Sequence, residues 1–313
     1  MRLVFSSVVL CLAWFGAMNV ASTIVAWALG RAALARGTTS ASVLLSIRFL
    51  PAVASTFFVY AFFLPAHLRF EEREVEESFG LVLGMLAVAG AAIVARSLWR
   101  AAHTIWLGRR LLQAARRIAT RLDDGTLALP GLPGISLAGI VRTNVLIGRD
   151  ALHALSAAEL DVAISHEMAH RRSRDNVKRF LMYCAPDVFG LLGVAQALER
   201  KWEAEAECLA DSAAVDGDRQ RAMLLASALV KVARLTYRGP MIVPPPAWSA
   251  FHVPTLLESR IRRLVDGDLP RAPRGRIWLV MALAGSAAPV VVWLADLSYT
   301  LHAVTEAMVT RLP

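Results

Sequence analysis

"LVFSSVVLCLAWFGAMNVASTIVAWAL", residues 3–29, runs for 27 positions without a charged side chain. A helix needs about 20 such residues to cross the hydrocarbon core of a bilayer. The stretch is too long for a secretory signal, and it ends in no small-residue cleavage site. Three more apolar stretches follow: "ASVLLSIRFLPAVASTFFVYAFFL" (41–64), "FGLVLGMLAVAGAAIVA" (79–95) and "IWLVMALAGSAAPVVVWLADL" (277–297). Together they predict a mainly α integral membrane protein with about four transmembrane helices. Residues 1–98 would form a three-helix membrane region, 99–275 a module outside the bilayer, and 276–313 the fourth helix with a short tail. In the second stretch Arg48 lies about two turns in and is expected to snorkel to the nearer surface.

Composition agrees with a bilayer as the solvent. The chain is 56% hydrophobic with a mean hydropathy of +0.50, above the roughly 45–50% apolar usage of soluble domains. Its net charge of +9 does not point to nucleic acid, because no basic–aromatic interleaving or nucleic-acid-reading motif accompanies it. The arginines flank the apolar stretches instead. Cys11, Cys184 and Cys208 form no CxxC pair, which fits a reducing compartment or membrane burial better than a disulfide framework.

Loop charges predict the orientation. "HLRFEEREVEES" (67–78) has five glutamates against two arginines, whereas "RSLWRAAHTIWLGRRLLQAARRIATR" (96–121) has seven arginines and no acid. Positive loops stay in the cytoplasm. The N-terminus and the acidic loop are therefore expected outside, and residues 97–275 in the cytoplasm. The basic stretch reads equally as a helix on anionic lipid or as a solvated charged face.

Within the module, "LPGLPGISLAGIVRTNVLIGRD" (129–150) suggests two short strands after Pro/Gly turns. Ser156 and Glu159 form a capping-box start for a helix over 157–172. "FLMYCAPDVFGLLGVAQAL" (180–198) reads as a buried or membrane-grazing helix interrupted at Pro186 and Asp187. Further helices are expected over 201–215 and 255–267, with "MIVPPPAW" (241–248) as a rigid connector.

The helix over 157–172 carries "SHEMAH". His166 and His170 are four residues apart and share a face, so both imidazoles can reach one tetrahedral Zn²⁺. Glu167 can face the open coordination position and act as general base. An ordinary amphipathic helix carrying two histidines is the competing reading. A catalytic zinc needs a third protein ligand, and in "EAEAECLAD" (203–211) the acids Glu203, Glu207 and Asp211 repeat every four positions on one helical face. Glu207 can be that ligand and Asp211 can accept the other ring N–H of a zinc histidine. Glu203 and Glu205 compete for the ligand role, and a solvated acidic face is the plain alternative.

In combination, "SHEMAHRRSRDN" and "ECLADSAAV", with three apolar stretches before and one after, resemble the membrane-embedded gluzincin peptidases of the BlaR/MecR antirepressor type. The resemblance implies a cytoplasmic α+β gluzincin (HExxH) metalloprotease domain between the third and fourth membrane helices. It implies Zn²⁺ held by His166, His170 and Glu207, Glu167 as general base, and Asp211 supporting a histidine. The "PDVFGLL" stretch from Pro186 is similar to the family's link between the two metal helices. The implied substrate is a protein or peptide, such as a cytosolic repressor; by β-augmentation it is expected to lie extended along a strand edge in 129–150. The implied location is a bacterial plasma membrane with the lipid bilayer as partner.

The chain also departs from that family. Ala210 stands before Asp211, as in the related CAAX-processing and heat-shock membrane proteases. Those relatives also place a histidine ahead of an Arg-Ile pair, which nominates His252 as an oxyanion stabiliser against its plainer reading as a loop histidine. No penicillin-binding domain follows the fourth stretch, so direct β-lactam sensing is not expected. The readings that compete with regulatory proteolysis are a quality-control membrane protease and a non-catalytic zinc-binding scaffold. A transporter would need paired intramembrane charges, and the sequence offers only Arg48. No feature sets an oligomeric state.

Overall fold

A computed structural model describes residues 2–37, 39–70, 80–122, 125–132, 134–236, 249–250, 257–269 and 303–305. The fourth apolar stretch, the 241–248 connector, most of the acidic loop and His252 lie outside these residues.

Among the described residues, three helices are long and apolar enough to cross a membrane: Phe5–Ala35, Ala41–Arg69 and Leu81–Ile118. Their apolar windows are 39%, 39% and 22% buried by protein, and large apolar side chains such as Ile24, Val53 and Val88 stay exposed on them, a surface suited to lipid. Helix α1 spans Arg2–Ala35 and α2 spans Ala41–Phe58. A π-helical turn, Val59–Phe63, then leads into α3, Leu64–Phe70. Helix α4 is one unbroken element from Leu81 to Ile118, so the third apolar stretch and the basic stretch share a helix.

The chain divides into two compact units. The first comprises Met1–Trp99, Ala185–Glu199 and Gly275–Pro313; the second comprises Arg100–Cys184 and Arg200–Arg274. In the first unit α1 crosses α4 at Gly16 and Gly90. A Cβ on Gly90 would stand 2.1 Å from the Leu12 carbonyl oxygen, and one on Gly16 would stand 2.8 Å from that of Leu86. Only glycine permits backbones this close, a familiar device between membrane helices.

The stretch 180–198 is not one helix. Helix α7 (Asp175–Cys184) stops before Pro186, a 3-10 turn covers Phe189–Leu191, and α8 runs Gly193–Val215. Pro186 has no N–H to continue a helix, and the freed backbone groups are taken up by side chains of the first unit. Asn19 donates to the Pro186 carbonyl at 2.9 Å and accepts from the Val188 N–H at 3.0 Å. Arg96 donates to the Asp187 carbonyl. Arg48 does not snorkel. It is buried, with Nη1 2.9 Å from Asp187 Oδ2 and Nε on Glu199. The first unit thus does hold paired charges, each spent on anchoring this connector.

The second unit is built on a five-stranded mixed sheet in the order β1-β2-β4-β3-β5. The strands are β1 Thr120–Arg121, β2 Leu127–Leu129, β3 Ile135–Ala138, β4 Asn144–Gly148 and β5 Ser249–Ala250. Strands β2 and β4 are parallel and the other pairs antiparallel. Strand alternation separates two faces. Ile135 and Ile147 join Val162 of α6 (Ala157–Ser173) and Leu225 and Leu229 of α9 (Arg219–Thr236) in the main core. Leu127, Leu129, Ala138 and Leu146 pack instead against Leu112 and Ala115 of α4. The sheet edge expected to receive substrate is partly covered: β5 pairs with β3 at Ser136↔Ala250 and Leu137↔Ser249.

Candidate metal centre

Helix α6 starts with both capping-box bonds in place. Ser156 Oγ accepts from the Glu159 N–H at 3.3 Å, and Glu159 Oε2 accepts from the Ser156 N–H at 2.7 Å. Glu159 also takes Ser227 Oγ and Lys231 Nζ from α9, at 2.6 and 2.7 Å, which pins the helix start to the core. The helix then delivers His166, Glu167 and His170 to the interior at 0%, 0% and 1% exposure. The four-residue spacing brings the imidazole centroids to 4.8 Å and the two Nε2 atoms to 3.1 Å.

Helix α8 supplies Glu207, fully buried, with Oε2 3.4 Å from His166 Nε2 and Oε1 3.3 Å from His170 Nε2. One ligand atom from each of His166, His170 and Glu207 lies within 4.8 Å of the others, and this group could hold a metal ion. Glu203 stands away from it, its side chain 38% exposed and 3.4 Å from Arg179 Nε. Glu205 is likewise half-exposed.

Each histidine is held from behind. Asp211 Oδ1 lies 2.8 Å from His166 Nδ1, and Asp175 Oδ2 lies 2.7 Å from His170 Nδ1. Asp175 reaches back because Arg174 adopts a left-handed conformation (φ 55°, ψ 40°) between α6 and α7, uncommon for a residue other than glycine. Ser173 Oγ and Lys178 Nζ, at 2.7 and 2.8 Å, hold the Asp175 carboxylate in turn. The next residue, Asn176, donates to the carbonyls of Leu137 and Gly139 at 2.9 and 2.7 Å, fixing the start of α7 to the β3 end.

These contacts test whether the residues suit a metal. Carboxylates on both Nδ1 atoms place the ring protons there, so both Nε2 lone pairs point into one space, 3.1 Å apart. Glu207 Oε2 has no well-aligned hydrogen bond, with Arg260 Nη1 2.9 Å and His166 Nε2 3.4 Å away. Converging lone pairs of two imidazoles and a carboxylate are the donor set that Zn²⁺ takes. The residues fit.

The electrostatics point the same way. Burial pushes the Glu167 carboxyl up, against the pull of His166 and His170. Burial also acts to raise Glu207 and Asp211, but His170 and Arg260 hold Glu207 well below the ordinary range, and Arg260 and His166 hold Asp211 down. Arg260 supplies a permanent positive charge: buried on α10 (Leu257–Asp266), it grips Asp211 with Nε at 2.8 Å and Nη2 at 2.6 Å.

Sequence reasoning brought forward His166, Glu167, His170, Glu207 and Asp211, and the structure gathers all five. It noted Asp175 in the "RDN" extension and Arg260 in an Arg-Ile pair without giving either a role, and it passed over Arg179, whose Nη2 is 3.4 Å from Glu207 Oε1. Arg260 left a trace, since it falls on the buried stripe of α10 with Leu264, where an arginine needs a partner. His252 lies outside the described residues. No protein-family model matches the chain, and no curated protein matches it. Fold and site therefore define a mostly helical chain with, among the described residues, three membrane-length apolar helices, a small mixed sheet and a buried His–His–Glu group able to hold a metal.

Proposed function

We propose that this chain is an integral-membrane zinc endopeptidase that cleaves a protein substrate. The observation that carries the reading is the convergence of His166, His170 and Glu207, with the buried Glu167 carboxyl close enough to feel the charge of all three. Bound there, Zn²⁺ would supply Lewis acidity, polarising a peptide carbonyl and acidifying water. The rest falls to the chain. Glu167 takes the proton from the attacking water and returns it to the leaving amine nitrogen, a role that suits a carboxyl raised by burial. Asp211 and Asp175 keep the two Nδ1 protons in place, so that Nε2 faces inward on both rings. Arg260 neutralises Glu207 and Asp211, which lets two carboxylates share a buried space.

Loop charges support an orientation with the second unit in the cytoplasm. The resemblance to BlaR/MecR antirepressors supports a soluble repressor as the substrate of regulatory cleavage. A substrate strand reaching β3 has to displace Ser249–Ala250 or add beyond them. One observation favours a different reading, a non-catalytic zinc scaffold: the four central side chains are 0–1% exposed, and a structural zinc, unlike a catalytic one, needs no open position that a substrate can reach.

The deciding experiment compares purified wild type with Glu167→Gln for zinc content and for cleavage of an unbiased peptide library. Equal zinc with cleavage only by wild type supports the peptidase. Equal zinc without cleavage by either protein supports the scaffold, and no zinc in folded wild type overturns both.

A further inference from the structure

Helix α4 does not stop where its apolar stretch stops. At 1.5 Å per residue, about 20 residues from Leu81 bring it across the hydrocarbon near Arg100, and it continues helical to Ile118. Over residues 100–118 it carries Arg100, Arg109, Arg110, Arg116 and Arg117 and no acid. One exposed stripe, at helical spacing, reads Trp99, His103, Trp106, Arg110, Gln113, Arg117. Trp106 is 50% exposed. Among the described residues no carboxylate pairs with Arg109, Arg110 or Arg117.

The side-chain geometry is directional. Side chains on a helix lean toward its N-terminus, which for α4 is the apolar end. Arg110 does so visibly, its guanidinium carbon 4.3 Å from the Trp106 ring centroid, and the His103 ring lies 6.1 Å beyond that indole. Trp106 sits about 9 Å past Arg100 along the axis and Arg110 about 15 Å, while a headgroup layer is roughly 5–7 Å deep. Arg100 therefore lies within that layer and Trp106 about 2–4 Å beyond its rim, so the indole and the guanidinium groups of Arg109 and Arg110, leaning back toward the apolar end, meet the outer face of the headgroups. Tryptophan favours the headgroup level, and guanidinium groups bind phosphate in bidentate fashion.

We propose that this stripe of α4, with the exposed Arg109 flanking it, is a docking surface for the anionic headgroups of phospholipids, held by Arg109, Arg110 and Trp106. The charge excess without acids and the continuity with a membrane-length helix favour lipid over a soluble polyanion. The inference rests on α4 crossing a bilayer and is independent of the metal centre.

The test uses the full chain in nanodiscs of phosphatidylcholine alone, or of equal parts phosphatidylcholine and phosphatidylglycerol. Lipid retained after delipidation and hydrogen exchange over 100–118 are read out. Wild type should retain phosphatidylglycerol selectively, and the anionic lipid should slow exchange over this segment. At about one kcal/mol per arginine, Arg109→Gln with Arg110→Gln should weaken anionic-lipid retention roughly 30-fold, leaving phosphatidylcholine retention unchanged. Trp106→Ala, which removes no charge, should lower exchange protection in the same segment and serves if the double variant fails to fold. Equal retention of both lipids by wild type, or no change in the variants, overturns the proposal. Equal protection by a single-stranded oligonucleotide in phosphatidylcholine nanodiscs would also overturn it, marking a general polyanion site.

Discussion

Nε2 of His166 and Nε2 of His170 lie 3.1 Å apart, each on a ring whose Nδ1 is already committed to a carboxylate. Two imidazole lone pairs that close repel unless a cation or a shared proton sits between them. In the absence of metal a proton serves: burial opposes charging His170, but Glu207 and Asp175 outweigh it and push its pKa up to about 10. A divalent cation would displace that proton and recruit Glu207 as well, coupling metal binding to folding.

Zinc should accordingly raise the thermal midpoint of the wild-type protein. At 100-fold excess over the dissociation constant the linkage is worth about 2.7 kcal/mol. Glu207→Ala and His170→Ala should lose most of the gain, while His153→Ala, an exposed position, should keep it. Midpoints in detergent, with and without a chelator, decide the point; a wild-type midpoint indifferent to zinc would sink the metal centre.

Asp175→Asn tests the less visible half of the site. The asparagine keeps the size but loses the charge that fixes His170 and pairs with Lys178 at 2.8 Å. Removing such a support generally costs 10–100-fold in metal affinity. A competition titration against a chromogenic chelator should show a loss in that range. Unchanged affinity would mean that Glu207 alone sets the ring.

Residues that act through short-range periodicity were readable in the sequence. His166 and His170 share a face because they are one turn apart, and Ser156 with Glu159 announces a helix start at three-residue spacing. The strands at 135–138 and 144–148 follow from β-branched alternation after turns. Partnerships that depend on chain reversals were not readable. Asp175 meets His170 only because Arg174 takes a conformation that its residue type does not advertise. Arg48 finds Asp187 across 139 positions, where no local pattern links them. The break in 180–198 was half visible, since Pro186 marked the place, but the Asn19 and Arg96 side chains that make it tolerable come from other helices.

Glu159 should give the second unit an acid-sensitive component. Burial works to raise its pKa, but Lys231, Ser227 and Ser156 outweigh burial and bring it down to about 2 from an ordinary value of 4.5. A carboxyl depressed in the folded state stabilises the fold above the ordinary value, and the contribution is lost as pH falls toward 2. Because the Lys231 side chain is 40% exposed, solvent screening reduces the contribution to about 1–2 kcal/mol. Stability measured from pH 6 to pH 2 should drop more steeply for wild type than for Glu159→Gln. Parallel curves would show that the capping box, not the charge, holds the helix start.

Arg48 carries the largest expected stability effect outside the metal centre. Its Nη1 meets Asp187, which is wholly buried, and its Nε meets Glu199. The other Asp187 oxygen accepts from the Gly190 N–H at 2.7 Å, so the aspartate orders the turn that joins α7 to α8. Arg48→Ala would leave a buried carboxylate without its counter-charge, a change worth about 3–5 kcal/mol in protein interiors. Adding Asp187→Asn to an Arg48→Met background should recover much of the loss, because a buried pair replaced on both sides is often near neutral. Arg36→Ala, an exposed control, should be silent. The comparison is made by unfolding in mixed detergent micelles. If Arg48→Ala unfolds no earlier than the control, the connector is held by Asn19 and Arg96 alone and the ion pair is incidental.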